Sequence, residues 1–287
     1  GVAGSGGTIS NTTTHGADLI NTTNITLRYM NFTNATTVDA VPVSGALSTG
    51  NNLPENAPIN ISNSSNIVLD NLNINGSVEQ GINGHTVTNF TLSNSTLLNL
   101  GNGPDEDGLH FFNMLGTNNI TNTTITSSGD DNVNIQMGSG TSTITVTGGS
   151  FNTGVLGSGV LFGIRGASNA TITVSGATIN NNFSGGIVAD NFDTATMNIT
   201  ANNNTITNNN DGIQVSDNNG NADFNIHTNT FSGQDTLAIT ILKAAFSTGG
   251  TLRGFINNNN ITIANGITAD GIFIFQAGAG TLTTAIT

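Results

Sequence analysis

The sequence predicts an all-β chain wound as a parallel β-helix of about ten or eleven coils. Three observations predict it: a phrase recurs at a nearly fixed period, the segments between turns alternate in polarity, and amphipathic helix signals are absent.

The recurring phrase is a small or acidic residue, then Gly or another small residue, then alternating apolar residues. It appears as "DGLHF" (107), "DNVNI" (131), "SGVLF" (158), "GGIVA" (185), "DGIQV" (211), "DTLAI" (235) and "DGIFI" (270), with steps of 24, 27, 27, 26, 24 and 35 residues. Between these lies a second phrase, as in "NITLRYMNF" (24), "NIVLDNLNI" (66), "TITVTGGSF" (143) and "TITVSGATI" (171), which holds two short alternating segments separated by Asn, Gly or a small residue. Each period therefore carries about three short strands with turns between them.

Strict alternation rich in Ile, Val, Thr and Phe is the mark of strands with one buried face, and the abundant Asn and Gly weaken any helix. Three strands per period make one coil, which pairs with the coils above and below while its inward Ile, Leu, Val and Phe stack into a continuous core. Asn suits the turns, because it tolerates the left-handed conformation and its amide can bond to the equivalent amide one coil away. At about 4.8 Å per coil the rod would be roughly 50 Å long.

The 287 residues read as one continuous domain, 1–287, with an irregular insertion or cap at about 36–59, where three of the four prolines fall. Insertions in a solenoid are often its functional parts. A smaller excursion over residues 244–254 accounts for the long step. The start at Gly1 and the ending "AGAGTLTTAIT" suggest a piece of something longer.

Charge bounds the function. Charged residues are 7% of the chain, against roughly 25% in ordinary domains, and four Lys and Arg face seventeen Asp and Glu for a net charge of −13. Nucleic-acid binding and attachment to anionic membranes both need clustered cations, so neither is expected. No apolar run is long enough to insert in a membrane as a helix. With no Cys, there is no disulfide framework and no thiolate metal site. Asn-x-Ser/Thr sequons occur, but a chain so rich in Asn and Thr generates them by chance.

The chain resembles the right-handed parallel β-helix proteins of the pectate-lyase-like superfamily, carried by coils of the "TITNNNDGIQV" type from about residue 17 onward. That superfamily includes bacterial surface and secreted proteins, polysaccharide lyases, polygalacturonases and phage tailspikes, so the resemblance implies the fold and leaves the activity open. A narrower similarity concerns "EDGLHF" and "SSGDDNVNI". Polygalacturonase-like glycosidases carry an acid before Gly and an apolar residue, then a Gly-Asp-Asp motif about one coil later. The resemblance implies Asp107, Asp130 and Asp131 as a catalytic trio, with Arg165 as the nearest cation to grip a uronate. The Gly-His-Gly and Arg-x-Lys of those enzymes are missing here, and four cations can hardly build a lyase cleft.

Three readings of the acids stand side by side. Asp107, Asp131, Asp211, Asp235 and Asp270 share one repeat position, where Asp accepts backbone N–H groups at a turn. On this reading Asp107 stacks on Asp131 and Asp211 on Asp235. Asp105, Glu106, Asp107, Asp130 and Asp131 also form the densest oxygen cluster and could hold calcium, although no cofactor is required. The third reading is the glycosidase. His110 alternates with Leu109 and Phe111 and is expected outside, solvated, beside the acids. Phe111, Phe112, Phe151, Phe162, Phe183 and Phe231 are expected in core stacks.

The leading expectation is a non-enzymatic extracellular or cell-surface segment, adhesive, autotransporter-like or filament-forming. Its partners would be further copies or neighbouring subunits along the solenoid and, on a calcium-dependent reading, surface glycans. Exposed strand edges at uncapped ends favour such assembly.

Overall fold

The computed structural model describes residues 5–36, 57–244, 247–263 and 270–287. Among them every regular element is a strand, and every strand pairing is parallel. The strands stack as about nine turns of a solenoid. Residues 37–56, most of the expected insertion or cap, lie outside the described residues.

One face is a ten-stranded sheet of short strands, from Gly7–Ser10 through Thr124–Ser128 to Asn260–Thr262. The other two faces merge where Ile59–Asp70, Ile82–Ser93 and Leu109–Thr121 run on without a break. From Val133 onward they separate into pairs such as Val133–Met137 and Thr141–Thr147.

Register turns the sequence period into a core. Leu69, Leu92, Ile120, Val146, Val174, Ala201, Ile226 and Ile256 form one inward column, each the partner of the next, and all are at most 2% exposed. Ile74, Leu97, Ile125, Phe151, Ile179, Ile206 and Phe231 form another. A polar residue in either column would face a dry interior, which is why the alternation is strict.

The corner that follows these strands is equally regular. Tyr29, Asn71, Asn94, Asn122, Gly148, Gly176, Asn203, Thr228 and Asn258 occupy one position, and all nine have positive φ. The left-handed conformation costs an ordinary L-residue about 1–2 kcal/mol, which Asn and Gly largely avoid. The turn thus accounts for much of the Asn content.

Several expectations need correction. Phe183 is 68% exposed, because it follows the short strand Thr178–Asn180 on a protruding turn. Phe112 points outward and stacks on His85 at 5.6 Å. Phe111, Phe151, Phe162 and Phe231 are fully buried, as expected. Asp211 pairs with Leu237 rather than Asp235, since Ile213 aligns with Ile239 and "DTLAI" carries two residues more before that point. In the 244–254 excursion, residues 245 and 246 lie outside the described residues, and Thr248–Asn257 returns to the ladder.

Candidate functional site

The acidic corner forms where the loop before Leu109–Thr121 meets the next two coils. Glu106 folds back so that its carboxylate accepts the N–H groups of Asn102 and Gly103. Asp105 takes a positive φ of 64°, and its N–H donates to Asp130 Oδ2 at 3.1 Å. Asp130 N–H in turn donates to the Glu106 carbonyl at 2.8 Å. The loop is therefore closed by its own acids.

Behind it runs a ladder of side chains capping backbone. Gln80 Oε1 accepts the N–H of Asp107 at 2.5 Å, Asp107 Oδ1 that of Asp131 at 2.9 Å, and Asp131 Oδ1 that of Ser158 at 2.5 Å. Because Ile82 aligns with Leu109, Leu109 with Val133, and Val133 with Val160, these four residues hold one position in four successive coils. Each carbonyl or carboxylate oxygen satisfies the donor directly above it. Stacking of Asp107 on Asp131, expected from the repeat, is what the structure shows.

Asp107 and Asp131 are buried, at 0% and 4% exposure, and Asp130 is half-buried. One oxygen from each of the three lies within 4.8 Å of the other two. Burial pushes Asp130 up to about 6, helped by the charge of Asp107 and opposed by the Asp105 N–H. Asp131 is driven well above the usual carboxylate range, first by burial and then by the charges of Asp107 and Asp130. Gly157 closes the cluster: a Cβ there would lie 2.4 Å from Asp130 Oδ1 and 2.5 Å from Asp131 Oδ1. Any larger residue would displace the acids.

His110 stands beside the acids, as its alternation implied. It is only 8% exposed, however, and its Nδ1–H donates to Asp107 Oδ2 at 2.7 Å, so it is not a solvated surface histidine. Of the five acids grouped in the sequence, Asp107, Asp130 and Asp131 come together as carboxylates. Asp105 contributes its backbone, and Glu106 ties its own loop.

Arg165 does not join them. It follows the strand Val160–Ile164, whose start lies at the acidic corner, and six residues separate it from Ser158, roughly 20 Å of extended chain. Its guanidinium lies 4.1 Å from the Phe192 ring centroid and faces Asp190 and Asp193. Asp190 is itself pushed up by burial despite hydrogen bonds from Ser216 and Gln214.

Sequence reasoning missed Gln80 and Ser158, the two ends of the ladder. The signal for both was present, since "QGI" (80) and "SGV" (158) are the same phrase with a neutral residue in place of the acid. It also missed a second buried polar stack, Asn191, Asp217 and Lys243, which no motif marks.

No family model and no curated protein matches the chain. Among solved structures it is similar to the mannuronan C-5 epimerase AlgE4 A-module of Azotobacter vinelandii, at 14% identity and a TM-score of 0.40, over 93% of this chain and 78% of that one. It is also similar to the Streptococcus pneumoniae surface protein and adhesin PfbA, at 12% identity and a TM-score of 0.31, over 91% and 77%. With its parallel coils and in-register ladders, the chain is a right-handed parallel β-helix protein.

Proposed function

We propose that the chain is a non-enzymatic structural segment of an extracellular or cell-surface protein, and that its acidic corner holds coils together. One observation carries this reading: Asp107 and Asp131 each spend an oxygen on the backbone N–H of the next coil. A carboxylate committed in that way is a poor candidate to attack, protonate or grip a substrate. Scarce surface charge and the exposed apolar residues of the last strands, Phe273, Ile274, Phe275 and Ile286, fit end-to-end or lateral association with further copies.

A glycosidase reading is favoured by one feature, the half-buried Asp130 with its affinity for a proton near neutral pH. Against it, the nearest oxygens of the trio are closer than the roughly 6.5–9.5 Å that an inverting pair leaves for water, and Arg165 sits elsewhere. The trio can also take a cation such as calcium, since three carboxylates at this spacing offer the oxygen donors calcium prefers. Calcium-dependent contact with surface glycans would follow from that reading.

The test is release of reducing ends from neutral and uronate-containing polysaccharides by the native chain and by its D107N, D130N and D131N variants, with and without calcium. The scaffold reading expects no release by any of them and a loss of thermal stability in the variants. Release by the native chain that the variants abolish would replace it with the glycosidase.

A further inference from the structure

Lys243 is the sole lysine of the chain, and it is completely buried. It ends the inward row Ile239, Ile241, Lys243, and stands over Asp217, which ends the row Ile213, Val215, Asp217 on the preceding coil. Both side chains are 0% exposed, and Lys243 Nζ contacts Asp217 Oδ2 directly. One coil further back, Asn191 is also 0% exposed, and its Nδ2 donates to Asp217 Oδ1 at 2.7 Å and to the Ala195 carbonyl at 3.1 Å. Asn191 Oδ1 is buried without a hydrogen-bond partner.

As a source of stability such an ion pair is weak. Bringing an ammonium and a carboxylate out of water costs several kcal/mol each, and well-packed apolar residues often serve as well. The arrangement does meet the requirements of a different chemistry: an amine and a carboxyl in contact, dry surroundings, and a fixed donor on the carboxyl oxygen that would become negative.

We propose that Lys243 and Asp217 are joined by an intramolecular isopeptide bond formed after folding. The reactive form is the neutral pair, reached by moving one proton from Nζ to Oδ2 along the contact already present. The Nζ lone pair then attacks Asp217 Cγ, and the charge on Oδ1 is met by Asn191 Nδ2–H, acting as an oxyanion donor. A second proton passes from Nζ to Oδ2, which leaves as water while the Cγ–Oδ1 double bond re-forms. The products are one secondary amide and one water, with no oxidant or co-reactant. Holding both groups in place makes the step effectively unimolecular.

The bond would link coils whose joined residues lie 26 apart in sequence. A solenoid frays from its ends, since each coil contacts only its neighbours. A covalent rung between two coils would stop fraying from passing it, in a chain that has no cysteine for a disulfide.

The main readout comes from the native chain. Because Lys243 is the sole lysine, a lysine-specific endoprotease acting on the denatured chain has one cleavage site. The proposal expects an intact mass lower by one water and a chain that resists the protease, while the K243M variant has the full mass. Loss of water through succinimide formation at an Asp-Gly pair would leave the Lys243 site cleavable, so the two readouts together are specific. The full mass, or cleavage into fragments 1–243 and 244–287, overturns the proposal. Resistance with loss of ammonia instead of water would overturn Asp217 as the partner and point to an amide side chain. In N191A, bond formation should slow measurably, followed by the appearance of resistance after refolding.

Discussion

Asp107 Oδ1 accepts the backbone N–H of Asp131 at 2.9 Å, and Asp131 Oδ1 does the same for Ser158 one coil higher. Two of the three acids that look like a catalytic set in the sequence are thus rungs of a ladder that begins at Gln80. Removing one rung leaves a buried N–H without an acceptor. Asp107→Ala leaves that N–H unmet and removes the acceptor of the His110 Nδ1–H, and should cost about 2–4 kcal/mol. Asp107→Asn keeps an acceptor and should cost less than half of that. Denaturant unfolding of the two variants checks the order.

The pH dependence has an unusual sign. The folded state raises Asp130 to about 6 and also raises Asp131, so between the ordinary carboxylate range and pH 6 the native chain binds more protons than the unfolded one. Unfolding free energy then falls with rising pH. The contribution is complete below about pH 4 and is lost as pH rises through 6, the reverse of a salt-bridged aspartate. Thermal midpoints from pH 4 to 7 should fall for the native chain and fall less for D130N. In calcium, which competes with the proton, the native slope should flatten if the trio binds the ion.

At the left-handed corner, Thr228 is the β-branched exception, with φ of 58° in a column otherwise filled mainly by Asn and Gly. Thr228→Asn should stabilise the chain by about 1 kcal/mol, because Asn takes this conformation more readily. The reverse change at Asn203, to Val, should destabilise by a similar amount. Thermal unfolding of both variants tests the turn as the reason for the Asn content.

Inside the solenoid, Asn204 N–H and Nδ2 both donate to Asn229 Oδ1 at 3.0 Å, and Asn229 N–H donates to Asn259 Oδ1 at 2.9 Å. Asn204 and Asn229 are nearly fully buried, and Asn259 is half-buried. Asn229→Leu leaves two buried donors on Asn204 unmet and should cost about 3 kcal/mol, more than Asn208→Leu on the exposed corner. Chemical denaturation of the two variants checks the order.

The fold was legible because its two causes act along the sequence. Alternation sets the inward columns, as in Ile144, Val146 and Ile172, Val174, and a constant period brings them into register. The acidic trio was legible through the same period. Features that depend on register or depth were not. Asp235 shares a phrase with Asp211 but is displaced by the residues before Ile239. Phe183 looks like any other periodic Phe until its protruding turn is seen. Lys243 and Asp217 meet through the inward end of two strands, a position that an isolated phrase does not reveal. Arg165 was nearest the acids in sequence by coil count, yet it lies at the opposite end of the strand.

The central claim is that the carboxylates of Asp107 and Asp131 serve the backbone of the neighbouring coil. Amide hydrogen exchange at Asp131 and Ser158 measures this most directly, read beside the side-chain titration of Asp130. Both amides should exchange as slowly as core amides such as Ile135 and Phe162, with Asp130 titrating near 6. Rapid exchange at both amides, with Asp130 titrating like a solvent-exposed carboxylate, would show acids free to face a ligand and would contradict it.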